Sequence, residues 1–150
     1  MANARRSWNC ALTDMQTVGA SIAVRCDGHW LLIRRGKEPY RGCWSLPGGR
    51  MEKDERPAET AKRELLEETG VAIDENVIRF LTHNPLKQPG MQIAVHTATF
   101  AKPRPDAPAG DDADDARWFS DHDIEALTDE NVTPHLRAVL KMAANDLTKA

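Results

Sequence analysis

The sequence carries little net charge: 20 Lys+Arg stand against 23 Asp+Glu, which leaves −3. A balance this close to neutral argues against a protein held to nucleic acid or membrane mainly by bulk charge. It leaves room for a small nucleotide, which needs only a local basic cluster. No apolar run approaches the roughly 20 residues of a membrane span. Residues 1–14 have Arg5 and Arg6 but no apolar stretch, so they do not read as a signal peptide. The three cysteines, Cys10, Cys26 and Cys43, show no C-x-x-C spacing. That excludes a disulfide framework or a structural zinc site from the first rank of readings and makes a reducing cytoplasm the simplest location. There are no internal repeats and no long low-complexity tract. The 150 residues, 41% of them apolar, suit one domain with its own core.

What is present reads as interleaved strands and helices. Residues 1–15 are expected to be a leader or an added strand, and 16–150 a single domain. The run VGASIAVR at 18–25 predicts a buried strand, Asp27-Gly28 a two-residue hairpin turn, and 30–35 the returning strand. Residues 36–49, rich in Gly and Pro, predict mostly loop. Residues 57–68 predict a helix, with Pro57 at its first position and Gly70 as its stop. Strands are expected at 77–82, 92–100 and 116–119, with a loop at 83–90. Thr133 and Pro134 predict the start of a C-terminal helix whose apolar face is Leu136, Val139, Leu140 and Ala143. The pattern predicts an α/β fold with a mixed β-sheet and helices packed on it.

The informative segment is GRMEKDERPAETAKRELLEETGV, from Gly49 to Val71. At about 100° per residue, Glu64, Glu67 and Glu68 fall in one sector of the helix, and Ala58, Ala61, Leu65 and Thr69 in another that faces a core. Three carboxylates on one side repel each other, whereas a merely solvated helix alternates signs at i,i+4. Clustered carboxylate oxygens are what Mg²⁺ or Mn²⁺ requires. Arg63 can hold a carboxylate in place, with Glu55 as its natural partner. Gly48-Gly49 permits close approach of the backbone to a metal or phosphate. A charged helix face with accidental spacing is the competing account. Seven fixed identities make chance agreement rarer than about one in 10⁸ per start position at background frequencies.

This segment resembles the box of the Nudix (MutT-like) hydrolases, G-x5-E-x7-R-E-U-x-E-E-x-G-U with U aliphatic, at every position. The lead-in LLIRRGKEPYRGCWSLPGG and the later Arg117-Trp118-Phe119 are also similar, so the resemblance runs from about residue 17 to 143. It implies a Nudix α/β/α sandwich with a loop–helix–loop catalytic box. It implies hydrolysis of the P–O–P bond of a nucleoside diphosphate linked to another group, dependent on Mg²⁺ or Mn²⁺. By that resemblance Glu67 and Glu68, with the Gly48 carbonyl, are metal ligands. Glu64 is a metal ligand or the base that deprotonates water, and Arg63 and Glu55 are the orienting pair.

The family often adds an acidic residue before the R-W-[FV] strand. Asp112 is the candidate metal ligand of that kind, with Asp111 and Asp115 as competitors. Arg34, Arg35 and Arg41 are the candidate phosphate-binding residues. Strand alternation sends Arg34 and Arg35 to opposite faces, so at most one of the two faces the site. Trp44 reads as a structural anchor in preference to a base-stacking platform. The loop HNPLKQPGMQ resembles the ADP-ribose-hydrolysing branch, which makes ADP-ribose or a nucleoside-diphosphate sugar the first substrate class. A MutT-like role on nucleoside triphosphates, including oxidised ones, is the alternative, and a non-catalytic ligand-sensing module is the alternative of another class. A homodimer is compatible with the sequence.

Overall fold

The computed structural model describes residues 15–100, 105–107 and 113–148. The strands are β1 (Gln16–Cys26), β2 (His29–Arg35), β3 (Trp44–Ser45), β4 (Gly48–Arg50), β5 (Arg79–Pro85), β6 (Met91–Phe100) and β7 (Ala113–Ser120). The helices are α1 (Pro57–Thr69), α2 (Asp121–Ala126) and α3 (Leu136–Thr148).

β1 organises the sheet. It pairs in parallel with β6 along its whole length, and β6 pairs with the edge strand β5. On its other edge the end of β1 turns back into β2 through Asp27 and Gly28, both at positive φ. Earlier on that edge, Gly19, Ala20 and Ser21 pair with Arg50, Gly49 and Gly48 of β4. β2 in turn carries β3 and β7. The sheet is therefore mixed, and α1 and α3 cover its two faces. Ala20, Ile22 and Val24 alternate toward Ala61 and Leu65 of α1. Ala23, Trp30 and Leu32 face Leu136, Leu140 and Ala143 of α3. This is the expected α/β/α sandwich. Among the described residues, no helix is long and apolar enough to cross a membrane.

α1 forms where the sequence predicts it. The Arg56 N–H donates to the Glu59 carboxylate at 2.9 Å, Pro57 occupies the first helical position, and Gly70 ends the helix at φ 74° with its N–H on the Leu66 carbonyl. Elsewhere the boundaries need correction. Residues 36–49 are not only loop: Trp44 and Ser45 pair with β2, and Gly48 begins β4. The strand expected at 77–82 starts later and runs further. Residues 75–77 form a 3₁₀ turn held by Asp74, whose carboxylate accepts from Asn76 N–H at 3.0 Å. The pairing of β5 then continues to Pro85 opposite Gln92, a position an edge strand grants to proline. β7 is twice the expected length because it follows β2 from His29 to Arg35. Helix α3 begins at Leu136, not at Pro134. Thr133 N–H is bonded to the Trp44 carbonyl and His135 lies at φ 74°, so the chain is not yet helical there. Helix α2 was not expected. Its signal is the capping pair Ser120 and Asp123, which exchange bonds of 2.9 and 3.0 Å. The leader or strand expected before residue 15 lies outside the described residues.

Candidate active site

Two glycines bring the loop after β3 against β1 and α1. A Cβ on Gly48 would lie 2.4 Å from the Ala20 carbonyl oxygen, so β4 reaches β1 only because Gly48 has none. A Cβ on Gly49 would lie 2.6 Å from the Glu64 carboxyl carbon. The bare backbone of Gly49 is therefore the surface on which the Glu64 carboxylate rests. Glu68, one turn further along α1, is 5% exposed and its Oε1 accepts the Gly48 N–H at 2.8 Å. The interaction seen at Gly48 runs through its N–H, whereas the sequence expectation concerned its carbonyl.

Arg63 is the hub of the carboxylates. Its Nε donates to Glu55 Oε2 at 2.7 Å and its Nη2 to Glu55 Oε1 at 2.9 Å, a two-point grip. Its Nη1 donates to Glu64 Oε1 at 2.9 Å and to Glu67 Oε2 at 3.1 Å. Nη2 also reaches the Arg50 carbonyl at 3.0 Å, which ties the hub to β4. Glu55 is held further by the Glu52 N–H at 2.7 Å and the Thr60 hydroxyl at 2.9 Å. The Arg63 hydrogen bonds, ahead of the Glu52 N–H and the Thr60 hydroxyl, hold the Glu55 carboxyl down at about 2 against the partial burial that opposes ionisation. In return Glu55, followed by Glu64, pushes the Arg63 guanidinium up.

These groups line a cleft of about 480 Å³ with Gly48, Gly49, Arg50, Met51, Glu52, Arg63, Glu64 and Glu68 on one side. Ile33, Arg35, Gly36 and Lys37 close the other. Arg35 thus faces the cleft, with its Nε fixed on the Pro39 carbonyl at 2.7 Å. Arg34 goes to the opposite face, 5.9 Å from the centre of the Trp44 ring, as strand alternation requires. The structure does not bring Arg34 or the exposed Arg41 to the cleft. Asp115 is directed elsewhere too, paired with Arg117 at 2.8 Å within β7. Asp111 and Asp112 lie outside the described residues. Trp44 is buried and meets Phe119 edge-on at 4.7 Å, in keeping with an anchor of the α3 face. Lys37 was missed by the sequence reading, although its place just after Arg35 offered a second cation.

Among the described residues, no three acidic, His or Cys side chains already converge as a metal cage, because the Arg63 guanidinium lies between Glu64 and Glu67. The donor chemistry nevertheless fits a hard divalent cation. Glu64, Glu67 and Glu68 offer carboxylate oxygens from one rigid helix, and the bare backbone of Gly49 is what lets the Glu64 carboxylate lie against β4.

A mixed sheet between two helices, with a glycine-tethered carboxylate helix beside a basic strand end, defines the class of α/β/α sandwich domains. The NUDIX domain model matches residues 15–141, and the chain belongs to that family. An ADP-ribose pyrophosphatase of Methanocaldococcus jannaschii is 31% identical over 104 residues, which cover 69% of this chain and 62% of that protein. A putative 8-oxo-dGTP diphosphatase of Bacillus subtilis is 44% identical over 57 residues, 37% of this chain and 36% of that protein. The chain thus spans less than two thirds of the length of these relatives. The NUDIX domain of Shewanella oneidensis NrtR, solved as a complex with ADP ribose, superposes with a TM-score of 0.73 over 88% of each chain at 21% identity, which shows the shared fold.

Proposed function

We propose that this chain is a divalent-metal-dependent pyrophosphohydrolase that cleaves the P–O–P bond of a nucleoside diphosphate linked to a second group, with ADP-ribose or a nucleoside-diphosphate sugar as its substrate class. The observation that carries this reading is the Arg63-centred set of Glu55, Glu64 and Glu67, of which Arg63 and Glu64 line, with Glu68, the cleft that Arg35 also faces. The identity to the M. jannaschii protein over 69% of the chain supports the substrate class.

In this reading Glu67, Glu68 and the Gly48 carbonyl hold Mg²⁺ or Mn²⁺. The bound ion supplies positive charge against the pyrophosphate oxygens. Glu64 joins that donor set or takes a proton from the attacking water. Its carboxylate is placed for either task by Gly49 behind it and Arg63 beside it. Arg63 fixes the rotamers of Glu64 and Glu67, and Glu55 fixes Arg63. Arg35 presents its guanidinium to the phosphates from the opposite wall. Asp112 is the proposed additional acidic donor from the loop before β7. The partner is a small nucleotide, and the activity is that of a cytoplasmic enzyme.

The test is a screen of the purified protein with Mg²⁺ or Mn²⁺ against ADP-ribose, sugar nucleotides and canonical and oxidised triphosphates, with products separated by chromatography. AMP plus ribose 5-phosphate is the expected result. Nucleoside monophosphate plus pyrophosphate, from triphosphates alone, would place the activity in the oxidised-nucleotide group, a reading favoured by the 44% identity to the B. subtilis protein. Tight ADP-ribose binding without product under either metal would replace the enzyme by a sensor module.

A further inference from the structure

We infer that Thr60 is a positioning residue for the Arg63 hub, acting through Glu55. This rests on the proposed pyrophosphohydrolase reading and extends it to a residue outside the box identities. Thr60 is 0% exposed, in the first turns of α1. A helical threonine ordinarily turns its hydroxyl to the carbonyl four residues back. Here that contact, to the Arg56 carbonyl, is long at 3.4 Å, while the Glu55 carboxylate is at 2.9 Å. The hydroxyl has one proton, and it goes to the nearer, charged acceptor.

The consequence lies in how Glu55 is fixed. Glu55 precedes α1 and reaches back over its first turn. Its Oε1 accepts from the Glu52 N–H, the Thr60 hydroxyl and Arg63 Nη2, at 2.7, 2.9 and 2.9 Å. The first comes from the loop and the second from the buried side of the helix. Together they hold that oxygen, and with it the carboxylate plane, independently of Arg63. Only with that plane fixed do Nε and Nη2 both meet an oxygen, which leaves Nη1 directed at Glu64 and Glu67. Without the hydroxyl, Oε1 keeps a single loop donor besides Arg63, and the carboxylate gains freedom to rotate away from the two-point grip.

The experiment compares Thr60→Val, Thr60→Ala and Thr60→Ser with the unaltered protein. Val removes the hydroxyl at nearly constant volume, Ala removes it without setting a methyl against the carboxylate, and Ser restores it. The first readout needs neither metal nor substrate: water exchange at the Arg63 Nε–H, followed by NMR in the metal-free protein. Exchange about tenfold faster in Val and Ala, and restored in Ser, is expected for loss of one charge-assisted bond. The second readout is steady-state turnover of the nucleotide found in the screen. The expected split is kcat lower by about tenfold with KM changed less than about twofold. Unchanged Arg63 Nε–H exchange in Val and Ala overturns the inference, as does failure of Ser to restore it. Should Val not fold, Ala and Ser carry the comparison. Should the unaltered protein turn over no nucleotide, the proposed activity falls, and the exchange measurement alone decides the role of Thr60.

Discussion

Arg63 and Glu55 meet through two parallel hydrogen bonds of 2.7 and 2.9 Å, with a donor set that a single ammonium does not reproduce. The pair does its work through the third nitrogen. Once Nε and Nη2 are committed to Glu55, Nη1 has one direction left, and Glu64 and Glu67 lie in it. Arg63→Lys keeps the charge and loses the fork. Its expected kcat is lower by about a hundredfold, close to that of Arg63→Ala, because under the proposed function misplacement of the Glu64 and Glu67 carboxylates and not loss of charge is the dominant effect. Glu55→Gln keeps the shape and loses the charge-assisted bonds, and its expected kcat lies between that of the unaltered protein and that of Arg63→Lys. Steady-state kinetics of the three variants checks this ordering, and full activity in Arg63→Lys would contradict it.

The same pair makes stability depend on pH with a definite sign. The Glu55 carboxyl is lowered from 4.5 to about 2, chiefly by its hydrogen bonds with Arg63. A depressed acid binds fewer protons in the folded state than in the unfolded state, so its contribution is fully present above the unfolded value. As pH falls from about 4.5 toward 2 that contribution disappears. Urea unfolding of the unaltered protein and of Glu55→Gln across this interval is expected to show a stability difference that shrinks as the pH drops. A difference that stays constant through the interval would mean that Glu55 is not held by Arg63 in solution.

Adjacent glycines separate folding from chemistry. At Gly48 an added Cβ meets the Ala20 carbonyl at 2.4 Å and Ser21 at 2.7 Å, most of it backbone that cannot move aside. Gly48→Ala is expected to disrupt the pairing of β4 with β1 and lower the melting temperature. At Gly49 the obstacle is the end of the Glu64 side chain, which can swing away. Gly49→Ala is expected to melt nearly as the unaltered protein does while losing most of its turnover and its Mn²⁺ affinity. Calorimetry of unfolding and of Mn²⁺ binding reads the two effects separately. Equal loss of melting temperature in both variants would refute the distinction.

These contacts also mark what the sequence made legible. Helix α1 was readable because Pro57 and Gly70 are local signals that agree with its apolar spacing. The pairing of Arg63 with Glu55 was readable from residue types, an arginine on the helix and a carboxylate just before it. The short strands β3 and β4 were not: β3 is two residues long and is held by β2, and Gly48 and Gly49 of β4 carry no strand propensity and are held by what β1 offers them. The start of α3 was misplaced for a similar reason: Thr133 is taken by the Trp44 carbonyl, 89 residues away in the chain. Thr60 was passed over because its methyl and hydroxyl fit an apolar helix face equally well, and only the position of Glu55 distinguishes them.

The alternation of β2 yields the sharpest contrast between neighbours. Arg35 faces the cleft that holds Glu64 and Glu68, whereas Arg34 lies over Trp44 on the side that α3 covers. Both carry the same charge a few ångströms from the same strand axis, so bulk electrostatics would make them equivalent. Contact would not. If Arg35 touches the phosphates, Arg35→Ala is expected to raise KM for the nucleotide by about tenfold, the usual scale for one charged hydrogen bond, with little loss of stability. Arg34→Ala is expected to leave KM within about twofold and to lower stability slightly, through loss of its contact with the Trp44 ring. Salt distinguishes the two further. A long-range attraction fades once the ionic strength shortens the screening length to about 3 Å near 1 M, whereas a direct contact in the cleft persists. KM values of both variants measured at low and high salt test this. Equal and salt-sensitive effects would assign the two arginines to steering alone and remove Arg35 from the substrate site.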